Sequence, residues 1–580
     1  MKTKLLFQIS VLLVALNVYS QSSFQENISE GTKNYHDLNM EPLHDGTGDF
    51  IVAANQFDNT MSNEEITLHR VKEDGSVVWV MKYSNTPLDK ARVFDIVVMD
   101  GNVYMTGSID VGGMKQTFIS EVDATTGSVL AFNNYAIISP NFNSRGLKII
   151  KTNSDADGDS IADPGFVVGG FFSDCYNLDT SCNFNNLGYV LRTDISLNEL
   201  WTIEIDANNP INNLDYDFAN GITETADGFF ITGSATGITT NFVRQAVLAH
   251  KVDFGGAFQW DRSYIFGNSQ DVSVDAYYDA ATDEIFMLSN YSSSHHFGVT
   301  VFANSSGAID AVKSWYAASN QLDKYGFKIM ESFTSSNNLI ISGYDRDENW
   351  VDANSNSQFS NSSMFVYEFE KANGNQVGLS YQFLVPHTEP IGDEFNFWNG
   401  QLPLIYYPDI SFPDVDAAGN ASYYHLGYRT DGGITSMEVF KTDSNLRNEC
   451  ENLILNINHS PISITQVPVS SAGVPIIMTP ASIGMNGFNY TVLPCSTFLS
   501  VGDNELDSGF VYPNPVSDYL TFSLKSIQSY TIIDALGRSV RTESLNSNAQ
   551  IYVGDLSKGL YFIEAVDDNK NSQIYRIIKE

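Results

Sequence analysis

The stretch Asp155-Ala156-Asp157-Gly158-Asp159-Ser160-Ile161-Ala162-Asp163 has the residue types and spacing best suited to chemistry. Carboxylates at positions 1, 3, 5 and 9 of this run put several hard oxygen ligands on one tight loop, and a peptide carbonyl near Ile161 adds another. That donor set suits Ca2+, which takes many oxygens in flexible geometry, better than Zn2+ or Mg2+. The run departs from an EF-hand, because Phe166 stands where the bidentate Glu belongs and Gly158 falls two places early. The expectation is a structural Ca2+ site made by Asp155, Asp157, Asp159, Ile161 and Asp163. The competing reading is a solvated acidic loop.

The Asp spacing resembles the calcium loops of thrombospondin type 3 repeats. Other reactive residue types are sparser. Four cysteines, Cys175, Cys182, Cys450 and Cys495, allow three pairings. Sequence proximity favours Cys175–Cys182 and Cys450–Cys495, provided the chain reaches an oxidising compartment. His295-His296 are adjacent, so on an extended chain they point apart and ligate one metal poorly. Asp345, Asp347, Glu348 and Asp352 read as a solvated acidic loop, with a second cation site as the alternative, and Tyr406-Tyr407 as core or as a glycan platform. The chain contains no HExxH, no G-x-S-x-G, no Walker loop and no dinucleotide fingerprint. A catalytic carboxylate pair would be invisible among 69 acidic residues, because such pairs converge in space from separate strands.

The elements that position these residues are strands. The run Asp227-Gly228-Phe229-Phe230-Ile231-Thr232-Gly233-Ser234 is a turn, a short apolar strand and a small-residue stop. Versions recur at Asp100 to Ser108 and at Asn338 to Gly343. Seven related units fill residues 35–445, with stops near 54, 107, 170, 233, 289, 343 and 427. This spacing is close to the roughly 50 residues of a kelch-type blade. The apolar core of each strand does not alternate with polar residues, so it requires cover on both faces. A propeller supplies that cover, since each blade lies between two others. Trp79, Trp201, Trp260 and Trp315, near the ends of the units, are expected to fill the space between blades. The strand ending in Thr-Gly-Ser, the Val-Asp pairs Val122-Asp123 and Val252-Asp253, and the Gly and Trp that follow resemble repeats of secreted bacterial β-propellers. Propellers of that kind bind glycans, proteins or cofactors, and some are enzymes, so the resemblance chooses no activity.

Composition agrees with an all-β chain. Of 580 residues, 43% are hydrophobic, 12% aromatic and only 17% charged, while turn-forming Gly, Ser, Asn and Thr are plentiful. A net charge of -38 excludes general affinity for nucleic acid or anionic lipid. Lys2 and Lys4, the apolar run Leu5 to Val18, and Val18-Tyr19-Ser20 read as a signal peptide over 1–20. No later run is long and apolar enough for a transmembrane segment. Residues 21–34 are then a lead-in, 446–500 a β-rich bridge and 501–509 an acidic linker. The bridge either closes the propeller or forms a small module of its own.

Residues 510–580 carry the most specific pattern in the chain. It opens Val511-Tyr512-Pro513-Asn514-Pro515, passes through Asp534-Ala535-Leu536-Gly537-Arg538 and Leu556-Ser557-Lys558-Gly559-Leu560-Tyr561, and ends Arg576-Ile577-Ile578-Lys579-Glu580. These motifs resemble the type A C-terminal sorting domain of the type IX secretion system. Pro513, Asn514, Pro515, Asp534, Gly537, Arg538, Gly559, Tyr561 and Lys579 carry the match. The short β runs and Asn, Asp and Gly turns independently predict a small antiparallel sandwich of about seven strands. The resemblance implies an outer-membrane export route, the secretion machinery as partner, cleavage of the domain, and a passenger on the cell surface or released. The expected function is a non-catalytic binding or adhesion module for a glycan or protein. The alternative is a carbohydrate-active or peptide-active hydrolase or lyase on the same scaffold.

Overall fold

The computed structural model describes most of residues 24–446, strand segments between 453 and 494, and most of 511–579; residues 1–23, 174–184, 347–362, 385–410 and 495–510 are among those outside the description. The chain is all-β, with no helix among the described residues. It divides into two compact units, Met1–Cys495 and Ser496–Glu580.

The recurring apolar word is the second strand of an antiparallel sheet. Gly228–Thr239 lies between Phe218–Thr225 and Phe242–Asp253. Phe229, Phe230 and Ile231 have no exposed surface. Phe229 and Ile231 pack with Val190 and Ile205 of the preceding sheet, whereas Phe230 packs with Met287 and Phe302 of the following one. Both faces are covered, and this is why the strand does not alternate.

Seven such sheets fill the first unit. Sheets 1 to 6 span residues 34–84, 92–137, 143–206, 218–265, 271–318 and 323–384, with Asp215–Tyr216 pairing back onto sheet 3. Sheet 7 takes three strands, Ser411–Val415, Ala421–Asp431 and Ile434–Asp443, and its fourth is Phe24–Ser29 from the start of the chain. The residues expected to form a lead-in thus complete a sheet more than 400 positions away, with Asn27 opposite Glu438. The first strands of the sheets lie against one another in cyclic order, and that of sheet 7 lies against that of sheet 1. Side chains close the same junction: Lys441 Nζ is 2.9 Å from Glu73, and the Phe50 and Tyr424 ring centroids are 5.0 Å apart.

The stop glycines follow from a bulge. In sheets 2, 3, 4 and 6 the first strand shifts register between Val93 and Asp95, Gly146 and Lys148, Ala219 and Gly221, and Gly326 and Lys328. The bulge drives a backbone carbonyl onto the second strand at Gly107, Gly170, Gly233 and Gly343, where any Cβ would overlap it.

Residues 453–494 add one outer strand to every sheet. Leu453–Leu455 pairs with sheet 6, Asn458–Pro461 with sheet 5, Thr465–Val467 with sheet 4 and Ser470–Gly473 with sheet 3. Ile476–Thr479 follows on sheet 2, Gly484–Gly487 on sheet 1 and Thr491–Pro494 on Phe24–Ser29 of sheet 7. The segment therefore runs once round the cycle in reverse, and each strand occupies an edge that would otherwise present unpaired backbone groups. About six residues per step reach roughly 20 Å when extended.

In the second unit, Val511–Tyr512, Tyr519–Phe522 and Gln550–Tyr552 form one sheet, and Ser539–Ser544, Ile527–Asp534, Gly559–Asp567 and Ser572–Lys579 the other. Their facing sides enclose Val516, Leu520, Phe522, Ile532, Ile551, Ile563 and Ile577.

Candidate functional site

The aspartate loop connects the first two strands of sheet 3, Asn143–Thr152 and Gly165–Ser173. Asp155, Asp157 and Asp159 each turn a carboxylate oxygen to within 4.8 Å of the others, on the exposed side. The loop holds this shape through its own backbone. Asp155 Oδ1 accepts from Gly158 N at 2.7 Å and its Oδ2 from Ser160 N at 2.6 Å. Asp157 accepts from Asp159 N, and Asp159 from Ile161 N. Gly158 and Ser160 take positive φ, 82° and 70°, to make the turn. The slight burial of Asp155 works against ionisation, but the Ser160 and Gly158 amides outweigh it and hold the carboxyl below its ordinary range. Asp163 lies outside the group of three and spends Oδ2 on Ala156 N at 2.9 Å. The Ile161 side chain is exposed.

A residue not anticipated from the sequence sits at the base of the loop. Arg192 is fully buried on the third strand of sheet 3. Its guanidinium donates to the carbonyls of Thr193, Ser154 and Asp163, and so ties the two ends of the loop together. Burial pulls its pKa down to about 10, against the charges of Asp163, Glu224 and Asp194. Burial also raises Glu224, partly offset by Thr152 and Arg192. The one signal in the sequence was a charge inside an apolar strand, between Leu191 and Thr193.

The other candidates fall mostly elsewhere. Cys175, Cys182, Cys450 and Cys495 lie outside the described residues, as do His295, Tyr406 and Tyr407 and all but Asp345 of the acidic cluster that follows the second strand of sheet 6. Around the inner side of the cycle the first strands do carry carboxylates, but these are engaged. Asp95 pairs with Lys148 of the next sheet at 3.1 Å and accepts from Ile149 N at 2.8 Å. Three sheets on, Asp275 repeats the arrangement with Lys328 at 3.5 Å and Ile329 N at 3.0 Å. These pairs bind neighbouring sheets together. They do not bring two carboxyl groups to one point.

One end of the cycle is closed by aromatic contacts. Trp201, at the end of sheet 3, covers Gly256 in the turn of sheet 4, where an added Cβ would meet the indole at 3.0 Å; its Nε1 donates to Phe254 O at 3.0 Å. Trp260 does the same over Gly307 and donates to Asn304 O at 2.7 Å. Trp79 Nε1 donates to Ala124 O at 3.2 Å. The tryptophans are bolts between successive sheets. At the opposite end lie the strand ends Ser173 and Asn185, Arg346 and Ser363, and Leu384 and Ser411, whose connections fall outside the described residues.

In the second unit, Asp534 and Arg538 close a hairpin: Asp534 N donates to Arg538 O at 3.0 Å, and Arg538 Nε donates to Asp534 Oδ2 at 2.8 Å. Gly559 and Tyr561 face Lys579 and Ile577 across the last strand pair, and Lys579 is buried. Pro515 is described and exposed, while Pro513, Asn514 and Gly537 lie outside the description. Residues 510–580 match the secretion system C-terminal sorting domain family. This chain is a type IX secretion substrate. Such a substrate is exported to the cell surface or the extracellular space, and its sorting domain engages the secretion machinery. No helix of the described residues is long and apolar enough to cross a membrane. No curated protein matches the chain. Among solved structures, the extracellular domain of a one component system from B. thetaiotaomicron aligns at 10% identity over 97% of this chain and 100% of that one, with a TM-score of 0.17. The extracellular domain of a hybrid two component system from the same organism aligns at 9% identity over 93% and 84%, with a TM-score of 0.13. Likeness at that level carries no argument.

Proposed function

We propose that the exported passenger is a non-catalytic binding module for a glycan or protein, built as a seven-bladed propeller. The cyclic order of seven sheets supports the propeller. The observation that carries the binding reading is the asymmetry of the two ends. One end is consumed by tryptophan-on-turn contacts between sheets. The described strands at the other end flank the two longest connections of the cycle, 347–362 and 385–410, and dissimilar loops on a rigid frame are where recognition concentrates. The engagement of Asp95 and Asp275 by lysines speaks against the hydrolase or lyase alternative. A glycan-array screen of the exported protein with product analysis tests the choice: binding without product is expected, and turnover of any polysaccharide or peptide overturns it.

The aspartate loop is, on this reading, a structural Ca2+ site using Asp155, Asp157 and Asp159, with the Ile161 carbonyl and Asp163 completing it. The three converging carboxylates support it. Calorimetric titration with Ca2+ is expected to show binding and a raised melting temperature, both absent in D157N/D159N. No heat and no thermal gain in the parent protein ends the idea. The oxidising route supports the bridges Cys175–Cys182 and Cys450–Cys495, which a mass shift on reduction and alkylation would test.

A further inference from the structure

The four-stranded sheet of the sorting domain has a second apolar face. In a two-layer sandwich each sheet buries one face and turns a polar face to water, so its strands alternate. These strands do not. Ile532, Ile563 and Ile577 point inward to the core. Their immediate neighbours Ile533, Phe562 and Ile578 occupy the opposite face, together with Leu560 and Val540. Cross-strand register joins the patch, with Ile533 opposite Phe562 and Leu560 opposite Ile578, and Arg576 opposite Phe562 borders it. Val540 is 47% exposed, Leu560 38% and Ile578 40%. An apolar patch of this kind on a soluble domain marks an interaction surface.

Charge points to how that surface is read. Residues 510–580 hold seven basic and eight acidic side chains, so nearly all of the net charge of -38 lies outside them. The domain presents no strong field to steer a partner, and apolar contact is left as its distinguishing feature. Its family match makes the secretion machinery the partner for which such a surface exists. We infer that the outer face formed by Ile533, Val540, Leu560, Phe562 and Ile578 is the docking surface of the sorting domain for an apolar patch on a protein of the type IX machinery.

The test uses the full chain in a host with a working type IX system. V540T/L560T removes exposed apolar surface and puts β-branched threonine, suited to strands, at both positions. L560T/I578T does the same on the neighbouring strand pair. Y519T/Y552T alters the outer face of the other sheet, where the two rings are 5.2 Å apart, and serves as control. Both outer-face pairs are expected to lower surface display by about tenfold or more, the scale of one central interface contact. The passenger should accumulate in the periplasm, and the melting temperature of the purified chain should match the parent. Normal display by either pair, an equal loss in the control, or concentration-dependent dimerisation of the parent that L560T abolishes would overturn the proposal.

Discussion

Three histidines illustrate how strongly the interior between sheets constrains single residues. Burial pushes His69 and His425 down to about 3 and His250 to about 4, with the Lys82 charge adding to the effect at His69. Ser411 and Thr442 hold the two ring nitrogens of His425. His250 packs against Phe258, and neither ring nitrogen finds a hydrogen-bond partner among the described residues. An unfolded chain takes up these protons near pH 6.5, whereas the folded one resists until about 3 to 4. The unfolded state therefore binds more protons below 6.5, and the stability these residues confer is full above that pH and lost as pH falls towards 4. H250L should flatten the fall of the urea midpoint between pH 6.5 and 4; an unaltered slope would contradict this account. Gly307 shows the converse constraint, a position that excludes a side chain. Its φ is 62° and Trp260 lies over it. G307A should cost about 1–3 kcal/mol, read as a lower thermal midpoint, and a neutral effect would mean that the tryptophan does not bolt the turn.

At the scale of elements, the informative strands are the ones that complete sheets they do not belong to in sequence. Phe24–Ser29 lies between Ile434–Asp443 and Thr491–Pro494, so the two ends of the first unit meet in one sheet. Removing Phe24–Ser29 or Thr491–Pro494 leaves sheet 7 with an open edge. Deleting 24–29 or deleting 491–494 should each lower the melting temperature, and the double deletion should cost much less than their sum, because without Phe24–Ser29 the outer strand has already lost its partner. Additive losses would show that the two strands act independently. The second strands were legible in the sequence, since three apolar residues between a Gly turn and a small-residue stop specify a fully covered strand. The reason for the stop was not legible. Gly107, Gly170, Gly233 and Gly343 are set by a carbonyl from a bulge on another strand. Nor was the course of the outer segment, which reads as β-rich but whose pieces are three or four residues long and so carry no periodicity.

For the whole molecule, the address and the scaffold stand at different distances from the sequence. A chain ending at 509 should accumulate in the periplasm with its passenger folded, and surface display of that truncated form would contradict the sorting role. The sorting domain was readable because its motifs are contiguous and ordered at one end of the chain, each a turn or strand start with a local conformational reason. The seven units were readable for the same cause. The convergence of Asp155, Asp157 and Asp159 was also foreshadowed, because one loop holds all three. Arg192, which pins that loop, arrives from a strand 29 residues beyond Asp163. By itself, then, the sequence determined strand identity, repeat number and export signal, all of which depend on side chains a few positions apart. The tertiary structure alone decided which strand closes sheet 7, the reverse course of residues 453–494 and the place of the Arg192 side chain beneath the loop. The physical reason is that long-range strand pairing is made by backbone amides and carbonyls, which almost every residue carries alike, so the composition of a segment does not reveal its partner.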